Sequence, residues 1–154
     1  MRIMFDTNAF DKILNSSDDL EIITTCDNNE YFITSIQEAE LESIPDDCRR
    51  QTLLSVCKKV AQKTPTPAIV GYSKVGDCVL VDADDVYSDL LLETHSNIKD
   101  AMIGSAAKRE MCIVVTNDKR FSKRLTQYSI PTMEYEEFIK SVRKGIKIQM
   151  DRDS

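Results

Sequence analysis

Tryptophan is absent from this chain of 154 residues, and histidine occurs once, at His95. The five cysteines (Cys26, Cys48, Cys57, Cys78, Cys112) are odd in number, irregularly spaced and without a CxxC pair. A thiolate or imidazole zinc site and a disulfide framework are therefore not expected, and the cysteines read as reduced structural thiols. With softer ligands so scarce, any bound metal should be a hard ion such as Mg²⁺ or Mn²⁺ held by oxygen. Only four glycines and four prolines are present, too few for a fibrous or low-complexity chain. No window approaches the roughly eighteen apolar residues of a membrane span, and the opening MRIMFDTN lacks the apolar stretch and cleavage site of a signal peptide. A cytoplasmic location without a membrane partner is expected.

What is present is an ordinary globular composition, long enough for one core. One domain is expected over residues 1–143, with 144–154 as a C-terminal tail. The formal net charge of −6 argues against an open basic surface for duplex nucleic acid, because phosphate contacts need local lysine and arginine. The charge is unevenly spread. Lys108, Arg109, Lys119, Arg120, Lys123 and Arg124 cluster within residues 108–124, whereas Asp82, Asp84, Asp85, Asp89 and Glu93 fall within 82–93 without a base.

Hydrophobic periodicity and caps predict strands at 2–5, 31–34, 112–115 and 130–133, with helices at 7–15, 18–26, 36–44, 46–63, 97–110, 119–127 and 134–143. Ser35 is expected to cap the 36–44 helix, with Glu38 completing a capping box. Residues 68–82 suggest a small hairpin or strand excursion, and 84–93 a short acidic helix. Strands alternating with helices imply an α/β three-layer sandwich around a central, mainly parallel sheet of four to five strands. In such sheets ligands sit beyond the carboxyl ends of the strands, which is where Asp6 and Asp118 fall.

Two further acids point inward. With successive helical residues about 100° apart, Glu40 shares the apolar face of Ile36, Ala39 and Ile44, while Glu38 and Glu42 fall on the solvent side. The same construction groups Asp100 with Ile103 and Ala107 rather than with Lys99 or Lys108. Three of the four acids have a plainer reading too: Asp6 and Asp118 as helix caps, Asp100 as part of a capping box. Four carboxylates converging at strand ends would repel one another, and each inward charge costs several kcal/mol of desolvation. A divalent cation would supply the missing charge and activate water toward a phosphodiester. Asn8 and Thr116 are placed to support such carboxylates by hydrogen bonding, Arg109, Lys119, Arg120, Lys123 and Arg124 to meet RNA or a partner, and Phe121 to anchor the core. His95 reads as a packing or surface residue. A phosphotransferase acting through Asp6 is disfavoured, because Asn8 stands where its second acid would be needed.

The segments FDTNAF, ITSIQEAEL and KDAMIGSAAKREMCIVVTNDKRF, in this order and spacing, resemble the PIN-domain family of metal-dependent nucleases, which includes toxins of toxin-antitoxin pairs. The resemblance spans residues 2 to about 138. It implies metal-binding or catalytic roles for Asp6, Glu40, Asp100 and Asp118 and supporting roles for Asn8 and Thr116. It further implies Mg²⁺ or Mn²⁺ dependence, endonucleolytic cleavage of RNA, a homodimer, and a small antitoxin as partner. Arg120 departs from the pattern, standing where many relatives carry an acid, which suggests one firmly held ion with a second recruited by substrate. The alternative expectation is a PIN-like RNA-binding or partner-binding protein that is catalytically weak or inactive.

Overall fold

The computed structural model describes residues 1–67, 78–79 and 98–153. The first strand β1 (Arg2–Phe5) leads directly into α1 (Thr7–Leu14), followed by α2 (Ser17–Thr25), β2 (Glu30–Thr34), α3 (Ser35–Glu42) and α4 (Asp47–Val60). After β3 (Gln62–Thr64), β4 (Thr66–Pro67) and β5 (Cys78–Val79) come α5 (Ile98–Arg109), β6 (Ile113–Val115), α6 (Lys119–Gln127), β7 (Thr132–Met133) and α7 (Tyr135–Asp153).

Five strands form one parallel sheet in the order β3-β2-β1-β6-β7, as the alternation of strand and helix predicts. β1 lies at the centre, with Met4 opposite Phe32 on one side and Val114 on the other. Its side chains alternate between two cores. Ile3 and Phe5 pack with α1, α2, α4 and α7, where the Phe5 ring lies 5.6 Å from Phe10 and 5.4 Å from Phe138. Met4 faces the other way, toward Ile36 of α3, Met102 and Ala106 of α5 and Phe121 of α6. This two-sided burial of a short apolar strand produces the three layers. Small side chains let α5 press closely onto the sheet, and Ala101 through Ala107 are all buried, Gly104 included.

Several local expectations are corrected. The α3 cap is Thr34, not Ser35. Its hydroxyl accepts from Gln37 N at 3.3 Å while Gln37 Oε1 accepts from Thr34 N at 2.9 Å, so Gln37 replaces Glu38 in the capping box. Ser35 instead meets the Thr66 hydroxyl at 3.2 Å. Residues 62–63, expected as the end of a long helix, instead join Thr64 in β3, because the open edge of β2 offers a parallel ladder with Thr34 opposite Thr64. The last helix does not stop at 143 but continues to Asp153, with Ile146 packed against the core. Of the expected hairpin at 68–82, the described residues Cys78–Val79 pair parallel with Thr66–Pro67, as an excursion strand does and a hairpin does not. The remainder of that segment, the expected acidic helix at 84–93 and His95 lie outside the described residues. Among the described residues no helix is long and apolar enough to cross a membrane.

Candidate metal centre

β2 follows β1 on one side of the sheet and β6 lies on the other, so the chain reverses its winding between β1 and β6. Such a switch point opens a crevice at the carboxyl ends of the strands. Asp6 leaves β1 and Thr116-Asn117-Asp118 leaves β6 at this place, tied together by Asp6 N donating to Val115 O at 3.0 Å. Each residue of the second turn has its own task. Thr116 Oγ1 donates to Asp6 Oδ2 at 2.9 Å and accepts from Asp118 N at 3.0 Å. Asn117 Oδ1 accepts from Tyr135 N at 2.9 Å, at the start of α7. Asp118 Oδ1 caps α6 by accepting from Arg120 N at 2.8 Å and Phe121 N at 3.0 Å. Asp6 likewise caps α1, with Oδ1 accepting from Thr7 N at 2.7 Å. Capping and site-building are therefore combined in the same two carboxylates: the caps orient them at the sheet edge.

Asp6, Glu40, Asp100 and Asp118 all line one cleft of about 370 Å³, with Ile103 and Phe121 among its apolar lining residues. The sequence-predicted acids are thus brought together. They also feel one another. Burial above all raises the Asp6 carboxyl above its ordinary value, and the charges of Asp118 and Glu40 push it the same way, against hydrogen bonds from Thr116 and Thr7. Burial likewise raises Asp100, opposed by Arg124 and reinforced by Asp6 and Asp118.

The arrangement differs from a preformed cage, however. Among the described residues no three histidine, cysteine or acidic side chains close on a common point able to hold a metal. Two acids are drawn aside: Glu40 Oε1 lies 2.6 Å from Lys99 Nζ, and Asp100 pairs with Arg124. Asp6 and Asp118 have only neutral hydrogen-bond partners among the described residues. An all-oxygen donor set in which two carboxylates lack a counter-charge suits a hard divalent cation.

Around the acids some expectations shift. Glu42 is exposed as predicted, but Glu38 is covered to the same degree as Glu40, 25% against 26% side-chain exposure, because Lys63 of β3 pairs with it at 2.9 Å. Location, not depth, distinguishes Glu40. Asn8 lines the cleft but is exposed and, among the described residues, makes no side-chain hydrogen bond to an acid. That task falls to Thr7, whose hydroxyl donates to Glu40 Oε2 at 2.9 Å. Thr7 and Lys99 are the residues that sequence reasoning missed. The signal for Thr7 was its place inside the same DTN element, whereas nothing local announced Lys99, whose helical angle sets it off the Asp100 face. Arg109 does not reach the cleft: its guanidinium donates to Thr64 Oγ1 at 3.2 Å and to the Pro65 carbonyl. Lys119, Arg120 and Lys123 are exposed on α6, and Phe121 is buried as expected.

A roomier hollow of about 580 Å³ lies between α1, α2 and α7. Four of its five charged residues are already matched, Asp19 to Arg143 at 3.1 Å and to the Tyr135 hydroxyl, and Lys12 to Glu136, with Lys140 the fifth. Converging acids favour the smaller cleft as the chemical centre.

Three solved structures share this architecture. The PIN domain endonuclease Utp24 superposes with a TM-score of 0.56 at 21% identity, over 86% of this chain and 84% of that one. The fold is PIN-like. VapBC2 from Rickettsia felis, solved bound to a DNA fragment from their promoter, matches with a TM-score of 0.55 at 19% identity over 87% of this chain and 98% of that one. VapBC-1 from nontypeable Haemophilus influenzae gives 0.54 at 15% identity, over 88% and 99%. No family model and no curated protein sequence matches the chain. The PIN-like likeness accordingly rests on the fold.

Proposed function

We propose that the chain is a Mg²⁺- or Mn²⁺-dependent endoribonuclease, the toxin of a toxin-antitoxin pair. The observation that carries this reading is the convergence of Asp6, Glu40, Asp100 and Asp118 on one cleft at the switch point of a PIN-like sheet. Asp6 and Asp118 would hold the ion, and Thr116 fixes the Asp6 carboxylate by donating to its Oδ2. A bound divalent ion supplies Lewis acidity toward a phosphodiester oxygen and lowers the pKa of water for in-line attack. Glu40, steadied by Thr7, and Asp100 would orient the attacking water. Lys119, Arg120 and Lys123 on α6 lie beside Asp118 and meet RNA phosphates or an acidic segment of a partner. The small antitoxin, the homodimer and the cytoplasmic setting belong to the same reading, supported by the likeness to two VapBC proteins.

The pairing of Glu40 with Lys99 and of Asp100 with Arg124 favours a second reading, a PIN-like domain that binds RNA or a partner without cutting. A broad RNA pool incubated with wild type, Asp6→Asn and Asp118→Asn separates the two. Cleavage by wild type with Mn²⁺, abolished by EDTA and lowered by on the order of 10²-fold or more in both variants, is expected, as for a residue acting in the transition state. Equal cleavage by wild type and Asp6→Asn overturns the assignment. Absence of Mn²⁺-dependent cleavage in wild type favours the binding protein.

A further inference from the structure

Lys99 and Arg124 stand among the acids, and metal-dependent hydrolysis alone gives neither a task. Lys99 projects from the first turn of α5 and its ammonium sits on Glu40 of α3, 59 residues away in sequence. Arg124 comes from α6 and pairs with Asp100, the two side chains only 18% and 20% exposed. Its guanidinium lies 5.8 Å from the centre of the Phe121 ring, held over an apolar surface that favours a fixed planar cation. Among the described residues the two cations thus each meet one of the four acids, from different elements, and Asp6 and Asp118 are met by neutral donors.

The charge balance is specific. Among the described residues, the four carboxylates of the cleft set against the Lys99 ammonium and the Arg124 guanidinium beside Asp100 leave two negative charges, which one divalent ion neutralises. A second ion would have to expel a side chain already at ion-pair distance, and Arg124 cannot lose its proton to make way. We propose that Lys99 and Arg124 replace a second metal ion, so that the cleft takes one divalent cation on Asp6 and Asp118 while the two side chains supply the remaining positive charge and hold Glu40 and Asp100 in place. This rests on the metal-dependent reading above.

The test is calorimetric titration of Mn²⁺ into the full chain at pH 7, which reads binding and not turnover. Wild type takes one ion. The double variant Lys99→Gln/Arg124→Gln takes a second at millimolar Mn²⁺, and the charge-retaining Lys99→Arg stays at one. Because removing Arg124 uncovers Phe121 and can unfold the chain, Lys99→Gln is measured alone as well. It tightens Mn²⁺ binding about tenfold, as loss of one nearby positive charge should, whereas Lys59→Gln on the exposed face of α4 leaves it unchanged. Two ions in wild type overturn this inference and leave the metal site standing. So does a folded double variant that still takes one, or Lys99→Gln binding no tighter than Lys59→Gln. Failure of wild type to bind Mn²⁺ at all overturns the metal site and this inference together.

Discussion

Asp6 is held ionised at a cost to the stability of the chain. Its carboxyl is raised above the ordinary value of 3.8, chiefly by burial and further by Asp118 and Glu40. A carboxyl with a raised folded-state pKa binds its proton more tightly folded than unfolded. Its ionisation therefore costs stability as pH rises through that raised value, and the cost is absent below 3.8. Asn keeps the cap on α1, since it ranks with Asp at that position. Asp6→Asn, melted without metal at pH 7, is expected to unfold at or above the wild-type temperature, with the difference shrinking toward pH 4. A lower melting temperature at pH 7 would contradict the reading. Under the proposed function the same variant is expected to lose cleavage, the usual opposition between activity and stability.

At the level of elements, Gln37 connects strand to helix. Its Oε1 accepts from the backbone and hydroxyl of Thr34, and its Nε2 donates to Phe5 O at 2.6 Å, all fully buried. That single side chain ties the end of β1, and so Asp6, to the start of α3, which carries Glu40. Gln37→Ala removes half of a capping box and leaves a buried carbonyl without its donor, at a cost of about 1–3 kcal/mol. A denaturant midpoint lowered accordingly with an unchanged m-value is the expected result. Much at this scale was readable in advance: the strands at 2–5 and 31–34 and the helix at 119–127 follow from short apolar runs and caps. The choice of Thr34 over Ser35 was not. Both carry a hydroxyl next to the helix, and the strand geometry that β2 shares with β3 decided between them.

Across the whole molecule, a net charge of −6 coexists with exposed Lys119, Arg120 and Lys123 beside the acid-lined cleft. A ligand steered by that strip responds to local charge, not to the total. RNA binding is accordingly expected to weaken with salt. Lys119→Gln/Lys123→Gln should reduce the slope of log K against log salt by about 1.4, at roughly 0.7 per phosphate contact on a single strand. Filter binding over a salt series with the inactive Asp6→Asn chain measures it, and an unchanged slope would place the RNA elsewhere. Arg109, which belongs to the same basic stretch of sequence, is committed to Thr64, Pro65 and Glu110 and should contribute nothing to that slope.

The sequence by itself determined the parallel α/β sandwich and the placement of Asp6 and Asp118 at strand ends, because apolar periodicity and helix caps act over a few neighbouring residues. It also set Glu40 on the inner face of its helix, since 3.6-residue geometry is local. Only the tertiary structure decided which charges meet. Lys99 with Glu40 and Arg124 with Asp100 are separated by 59 and 24 residues, and long flexible cations reach partners that no helical angle foretells. Edge pairing turned 62–63 from helix to strand for the same reason: their partner was β2, remote in the chain but adjacent in the sheet.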